Sequence, residues 1–311
     1  MKLLSERIVI IYYHGVVEKK RDPLLERNFL TLKEFKQHIC LLKKFRIIDP
    51  VELEYSLTEP SGEKPRLLIT VDDGYYNNRI IHEILSKEKI RWSLFISTGA
   101  IDNRKILWTT EIALLLLFGN AVSIEAYGRK WPLDTRRSRE ETFNAIRVKL
   151  KKEAASEKDR IIKMIRQQFP AEETERLFDL WPSFRMLSWD DIVRLSSDGV
   201  AINSHGVDHE IHHVNQPSKV RMNELKQSKD AIEERLKKKS DVFAFPNGDF
   251  MEKSVEELGE AGYKLGLLTD AALENNKYLL PRLSANSAYY RGSCSEQVHG
   301  KIKEWTFQSQ T

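Results

Sequence analysis

Leu67-Leu68-Ile69-Thr70-Val71-Asp72-Asp73-Gly74 carries an apolar run straight into two carboxylates and a glycine. A run of that length, with β-branched members and a glycine at its end, reads as a buried strand that stops in a turn. A second stretch repeats the arrangement, with Val200-Ala201-Ile202-Asn203 leading into Ser204-His205-Gly206-Val207-Asp208-His209. Reactive side chains at the ends of buried strands point to an α/β fold whose active face lies at the strands' carboxyl ends.

Five further segments read as short strands: Ile8–Tyr13, Ser93–Ser97, Val242–Phe245, Leu265–Thr269 and Tyr278–Leu280. Between the strands lie amphipathic patterns over Leu32–Phe45, Arg79–Lys89, Trp189–Ser197, Ser218–Lys238 and Lys253–Gly262, with Thr31 and Ser188 as N-caps. Strands alternating with helices predict a parallel sheet, and a barrel would bring the residues after each strand onto one rim.

The rhythm fails between Ala100 and Arg185. Phe143, Ile146, Leu150, Ile161, Ile162 and Ile165 within the charged stretch Arg136–Arg166 predict one or two helices. The chain therefore reads as a single domain, 1–311, interrupted by a helical insertion at 101–185 that acts as a solvated lid or small packing unit. Pro132 and Pro182 are expected at its edges.

With 311 residues, 41% of them hydrophobic, the composition is that of a globular protein. A net charge of +4 falls far short of a nucleic-acid footprint, so no nucleic-acid partner is expected. Cys40 and Cys294 have neither disulfide-framework nor zinc-ligand spacing and read as reduced structural thiols. Ile112–Phe118, the longest apolar stretch, is too short to span a bilayer. Ser5-Glu6-Arg7 breaks the apolar N-terminus, so no signal peptide is expected and the cytoplasm is the default location; a trimmed chain would be exported or membrane-peripheral. The oligomeric state is not legible.

His205 and His209, four residues apart, can aim both rings at one point, and Asp73 is the expected third ligand. Two imidazoles and a carboxylate leave room for water and substrate on a hydrolytic divalent ion, and Asp72 would take the water's proton.

These strings resemble the polysaccharide deacetylases of the nodulation-deacetylase type, carbohydrate esterase family four. The family's Thr-Phe-Asp-Asp-Gly appears as Thr70-Val71-Asp72-Asp73-Gly74, which implies Asp72 as catalytic base and Asp73 as metal ligand. Its His-Ser/Thr-x-x-His appears as His205-Gly206-Val207-Asp208-His209, with glycine in place of the hydroxyl residue that steadies the loop. Its Arg-x-Pro-x-Gly appears as Ala244-Phe245-Pro246-Asn247-Gly248, which keeps the turn, loses the arginine and leaves Asn247 as backbone donor to the oxyanion. Arg282 in Leu280-Pro281-Arg282-Leu283 can replace the missing arginine by position.

The family's Leu-x-His general acid is absent, and Val298-His299 is a poor echo of it. His14 takes that role instead, in Tyr12-Tyr13-His14-Gly15-Val16, which resembles the Tyr-His-x-Val opening of the exopolysaccharide-deacetylase branch. His212 and His213 are read as surface groups or as support behind the ligands.

The resemblance covers roughly residues 5–100 and 185–285. It implies a distorted or incomplete (β/α) barrel of about seven parallel strands, and a divalent metal, zinc foremost with cobalt, nickel or manganese as alternatives. It also implies a hydrolase that removes N-acetyl groups from an amino-sugar glycan or glycoconjugate, with an N-acetylated carbohydrate as partner. Two other readings stay open: a related amide or ester hydrolase on a non-glycan substrate, and a catalytically inactive carbohydrate-binding homologue.

Overall fold

The computed structural model describes residues 8–58, 66–103, 105–269 and 278–285. In chain order its strands are β1 (Ile8–Tyr13), β2 (Gly15–Val17), β3 (Phe29–Thr31), β4 (Arg46–Ile47), β5 (Arg66–Val71), β6 (Ser93–Ile96), β7 (Ser123–Ala126), β8 (Arg129–Pro132), β9 (Ala201–Ser204), β10 (Val242–Ala244), β11 (Leu265–Leu267), β12 (Leu279–Leu280) and β13 (Leu283–Ser284). The helices are α1 (Leu32–Leu42), α2 (Leu53–Thr58), α3 (Asn78–Lys87), α4 (Thr98–Asp102), α5 (Trp108–Phe118), α6 (Arg136–Leu150), α7 (Ala155–Arg166), α8 (Glu173–Leu180), α9 (Trp189–Ser197), α10 (Ser218–Leu236) and α11 (Ser254–Glu260).

The main sheet has nine strands, and its paired neighbours are parallel. Its path runs β12-β11-β10-β9-β6-β5-β1-β13, with β4 added beside β5. The two ends of that path, β12 and β13, are separated in the chain only by Pro281-Arg282, so the sheet curls round until one segment serves both edges. This is the distorted (β/α) barrel expected from the sequence. All seven expected strands are present. The count rises to nine because β4 and β13 have two residues each, too few for a periodic signal.

Alternation along the strands sorts side chains between two cores. Val9, Ile11, Leu67, Ile69 and Val71 face outward onto Phe35 and Ile39 of α1, Ile81 and Leu85 of α3, and Ile192 and Leu195 of α9. Ile8, Ile10, Leu68, Phe95, Ala244, Leu267 and Leu280 fill the interior. Thr31 and Ser188 start α1 and α9 as expected, each in a capping box, with Glu34 and Asp191 respectively.

Between residues 101 and 185 the chain builds a further core, shared with Val17, Leu25, Phe29, Tyr75 and Ile211 from outside the segment. α5 is apolar on every side and buries Leu114–Leu117 against Ile146 of α6, Ile162 and Ile165 of α7 and Leu177 of α8. β7 and β8 form an antiparallel hairpin whose turn residues, Tyr127 and Gly128, both have positive φ. The sequence pattern predicted no hairpin here. Pro132 closes β8 inside this segment rather than marking its edge, and Pro182 opens a 3-10 turn over Pro182–Phe184.

His212 corrects a surface expectation, being fully buried against Phe243 and Phe245 with its pKa pushed down by burial to about 3. Cys40 is free and exposed on α1, so it has no packing role. Cys294, Val298-His299 and Ser5-Glu6-Arg7 lie outside the described residues. Among the described residues no helix is long and apolar enough to cross a membrane.

Candidate active site

The alternation that fills the barrel also aims the chemistry. Leu68, Thr70 and Asp72 fall on one side of β5 and its extension, and Ile10, Tyr12 and His14 on the matching side of β1, so Asp72 and His14 point where the interior side chains point. Asp72 N–H donates to Tyr13 O at 2.9 Å, carrying the β1–β5 ladder one residue past the strand. Asp73 (φ 77°) and Gly74 (φ 86°) then turn through the left-handed region, which aspartate tolerates better than most residues and glycine adopts without strain.

That turn places Asp73 Oδ1 3.4 Å from His205 Nε2 and 3.5 Å from His209 Nε2. One ligating atom from each of the three residues lies within 4.8 Å of the others, and all three are buried. His205 Nδ1 donates to Ala244 O at 2.7 Å, which fixes the ring orientation and turns Nε2 toward the carboxylate. Among the described residues Asp73 Oδ1 has no hydrogen-bond partner, and its neighbours are the two imidazole nitrogens. Two imidazole nitrogens and a buried carboxylate oxygen converging on one point form a donor set that fits a divalent ion. Burial pushes the Asp73 carboxyl up, but the facing imidazoles of His205 and His209 outweigh it and hold it well below the ordinary range. Burial lowers both imidazoles; at His205 the Asp72 and Asp73 carboxylates reverse the sign, and at His209 burial wins. His209 holds φ 58°, and its carbonyl accepts from Trp108 Nε1 at 3.1 Å.

Asp72 is gripped from the other side. Arg282 Nη1 and Nη2 donate to Asp72 Oδ1 and Oδ2, each at 2.7 Å. The guanidinium also donates to Leu268 O at 3.0 Å and lies 4.7 Å from the centre of the Tyr12 ring. Burial alone would raise the Asp72 carboxyl; Arg282 and His205 overcome it and lower it. Asp72 is thus held by an arginine between β12 and β13, while the Ala244-Phe245-Pro246-Asn247-Gly248 turn carries none.

His14 lines the same cleft, which has a volume of about 240 Å³ and is also lined by Asp72, Asp73, His205, His209 and Asn247. Burial lowers the His14 pKa against the opposing pull of the Asp73 and Asp72 carboxylates. Asn247 sits in the Pro246–Gly248 turn with φ 61°. Its side chain accepts from Lys151 and donates to Asp249. Gly248 is required there, since a Cβ would lie 2.0 Å from Thr269 Oγ1. Of the aromatics after the first motif, Tyr75 lines the cleft edge-on to Phe29, whereas Tyr76 is exposed beneath Arg79 and away from the site.

One functional residue was missed. Glu224, 4% exposed on α10, accepts from the backbone N–H groups of Val207 at 2.9 Å, Asp208 at 3.2 Å and Glu210 at 3.3 Å, bracing the loop that carries both histidines. Burial first, then Glu210, pushes its pKa up to about 7. A Cβ on Gly206 would lie 2.4 Å from Glu224 Oε2, so the glycine in place of a hydroxyl residue is the space this carboxylate occupies. The only sequence signal was an acidic residue on the apolar face of the Ser218–Lys238 pattern.

The family described as polysaccharide deacetylase matches residues 59–266. Three solved structures share the architecture. A deacetylase, PplD, from Streptococcus pyogenes has TM-score 0.61 at 15% identity, over 96% of this chain and 98% of that one. IcaB from Ammonifex degensii has TM-score 0.58 at 16% identity, over 94% and 96%. A de-N-acetylase from Aggregatibacter actinomycetemcomitans has TM-score 0.56 at 14% identity, over 94% and 99%. At such identities the likeness speaks for the fold. No curated protein sequence matches the chain.

Proposed function

Since the chain belongs to the polysaccharide deacetylase family, we propose that it is a metal-dependent hydrolase that removes N-acetyl groups from an amino-sugar glycan or glycoconjugate, releasing acetate and a free amine. The observation that carries this reading is the meeting of Asp73, His205 and His209 beside Asp72 in one cleft, although the two pairs come from distant parts of the chain.

Asp73, His205 and His209 would hold a divalent cation, zinc foremost with cobalt, nickel or manganese as alternatives, and it would supply Lewis acidity. Asp72 takes the proton of the attacking water. The Arg282 fork leaves each Asp72 oxygen a second lone pair for that proton while fixing the carboxylate plane. The backbone N–H of Asn247, in its left-handed turn, donates to the oxygen that gains charge. The departing nitrogen takes up the proton that Asp72 removed from the water, with His14, an imidazole kept neutral-leaning by burial, as the relay between them.

Acetate release from N-acetylglucosamine oligomers, with and without a chelator, tests the proposal. Release that stops with chelator and returns with zinc supports it. Release of acetate only from non-glycan amides or esters would favour the related-hydrolase reading, and glycan binding without release the inactive homologue.

A further inference from the structure

One wall of the cleft is cationic in a way that an uncharged acetamido sugar does not explain. Phe143, Arg147 and Lys151 follow one another at four-residue spacing along α6 and its C-cap, and all three line the cleft together with Arg27 from the loop before β3. Both guanidiniums lie toward the Phe143 ring, Arg147 at 5.5 Å and Arg27 at 6.0 Å from its centroid. Lys151 reaches across to Asn247 Oδ1, in the turn beside the ligand cluster. All three cations are half-buried. Their crowding opposes their charge: burial, then Arg147 and Arg27, push Lys151 down to about 8, with Asp249 the opposing carboxylate.

The C-terminus of α6 favours cations on general grounds. Lys149 meets that need from elsewhere, over the Tyr127 ring at 5.0 Å, and the dipole gives no reason for Arg27, from another element, to join the group. A bound anion does.

We propose that Arg27, Arg147 and Lys151 bind an oxyanion, and that the substrate is an N-acetylated amino sugar bearing a phosphate close to its acetamide. The inference rests on the deacetylase reading and names its substrate class. Phosphate fits better than carboxylate because a single guanidinium already satisfies a carboxylate in this molecule, Arg282 on Asp72, whereas three converging cations match a tetrahedral group of charge about −2.

The test compares N-acetylglucosamine, N-acetylglucosamine 1-phosphate and N-acetylmuramic acid on the full chain. Acetate release is followed kinetically, and binding is measured by calorimetry with a chelator present so that no metal holds the anion. Expected is a preference of about tenfold or more for the phosphorylated sugar in kcat/KM and in affinity, falling with added salt and collapsing in R147Q and K151Q chiefly through KM. Equal or better handling of the uncharged sugar by the wild type overturns the inference while leaving the deacetylase reading intact, and a preference for the carboxylated sugar overturns the phosphate assignment. Tight binding of the phosphorylated sugar that R147Q and K151Q weaken, with no acetate released from any sugar, upholds the anion site and removes the deacetylase reading. The wild-type comparison needs no variant to fold.

Discussion

Replacing Arg282 by methionine removes the guanidinium that holds both oxygens of Asp72 while keeping a stem against the Tyr12 and Phe95 rings. The Arg282 side chain is 0% exposed and that of Asp72 3%, so the pair is screened by protein rather than water. At a charge separation near 4 Å and an effective dielectric of about 20, the attraction is about 4 kcal/mol. Stripping one partner from a buried pair costs about 3–5 kcal/mol, because the other charge stays desolvated. R282M and D72N should therefore each lower the unfolding free energy in urea by about that amount. D72N/R282M should fall well short of their sum, with a coupling of about 2–3 kcal/mol. The pH dependence has a fixed sign: the Asp72 carboxyl is lowered in the fold, so the stability it contributes is complete above the ordinary carboxyl range and is lost as acid protonates it. The gap between wild type and R282M should accordingly narrow on acidification. Single costs that add within about 0.5 kcal/mol, or a gap that does not change with pH, would refute the pairing.

Four further outcomes are expected. D72N should lose turnover on N-acetylated sugars yet retain bound divalent metal by elemental analysis, and H205A should lose both; turnover surviving in D72N rejects Asp72 as base. G206S, which restores the family's usual residue type, should lower the melting temperature, since its Cβ meets Glu224 Oε2 at 2.4 Å from a backbone at φ 87°, a strain of about 1–3 kcal/mol; an unchanged melting temperature would show that Glu224 does not pack there. E224Q offers one acceptor oxygen where the carboxylate has two, and should weaken metal affinity about 10–100-fold in chelator competition, an effect absent if the loop is self-supporting. H14Q should depress kcat with little change in KM, and a KM effect alone would make His14 a binding group.

The barrel was readable because its strands are buried on both faces, which produces apolar runs such as Leu67–Val71 bounded by turn residues. The residues of the Asp73–His205–His209 cluster were readable because they follow such runs closely. What escaped has a physical pattern. β4 and β13 are too short to show alternation, and the hairpin β7–β8 holds its turn with Tyr127-Gly128, whose tyrosine gives no hairpin signal. Glu224 and Arg147 belong to helices whose periodicity reports a buried face but not what that face touches, and Lys151 and Arg27 lie in a helix cap and a loop with no periodicity at all. Of the two readings of His212 the surface one fails, because a neutral imidazole can pack as an apolar ring, here against Phe243 and Phe245, and nothing in its polar sequence neighbourhood says so.

The departures from the family motifs bear on whether the site works or has decayed. Two supports are missing from their usual places, the arginine of the third motif and the hydroxyl of the second. Each has a counterpart on a different element, Arg282 between β12 and β13 and Glu224 on α10, and each makes several bonds to the group it serves. Both serve the fold as well as the site, because removing one partner of a buried charged set costs about 3–5 kcal/mol while the other stays desolvated. Activity therefore separates a working site from an inactive sugar-binding homologue where stability does not: acetate release by the wild type with loss in D72N decides between the two.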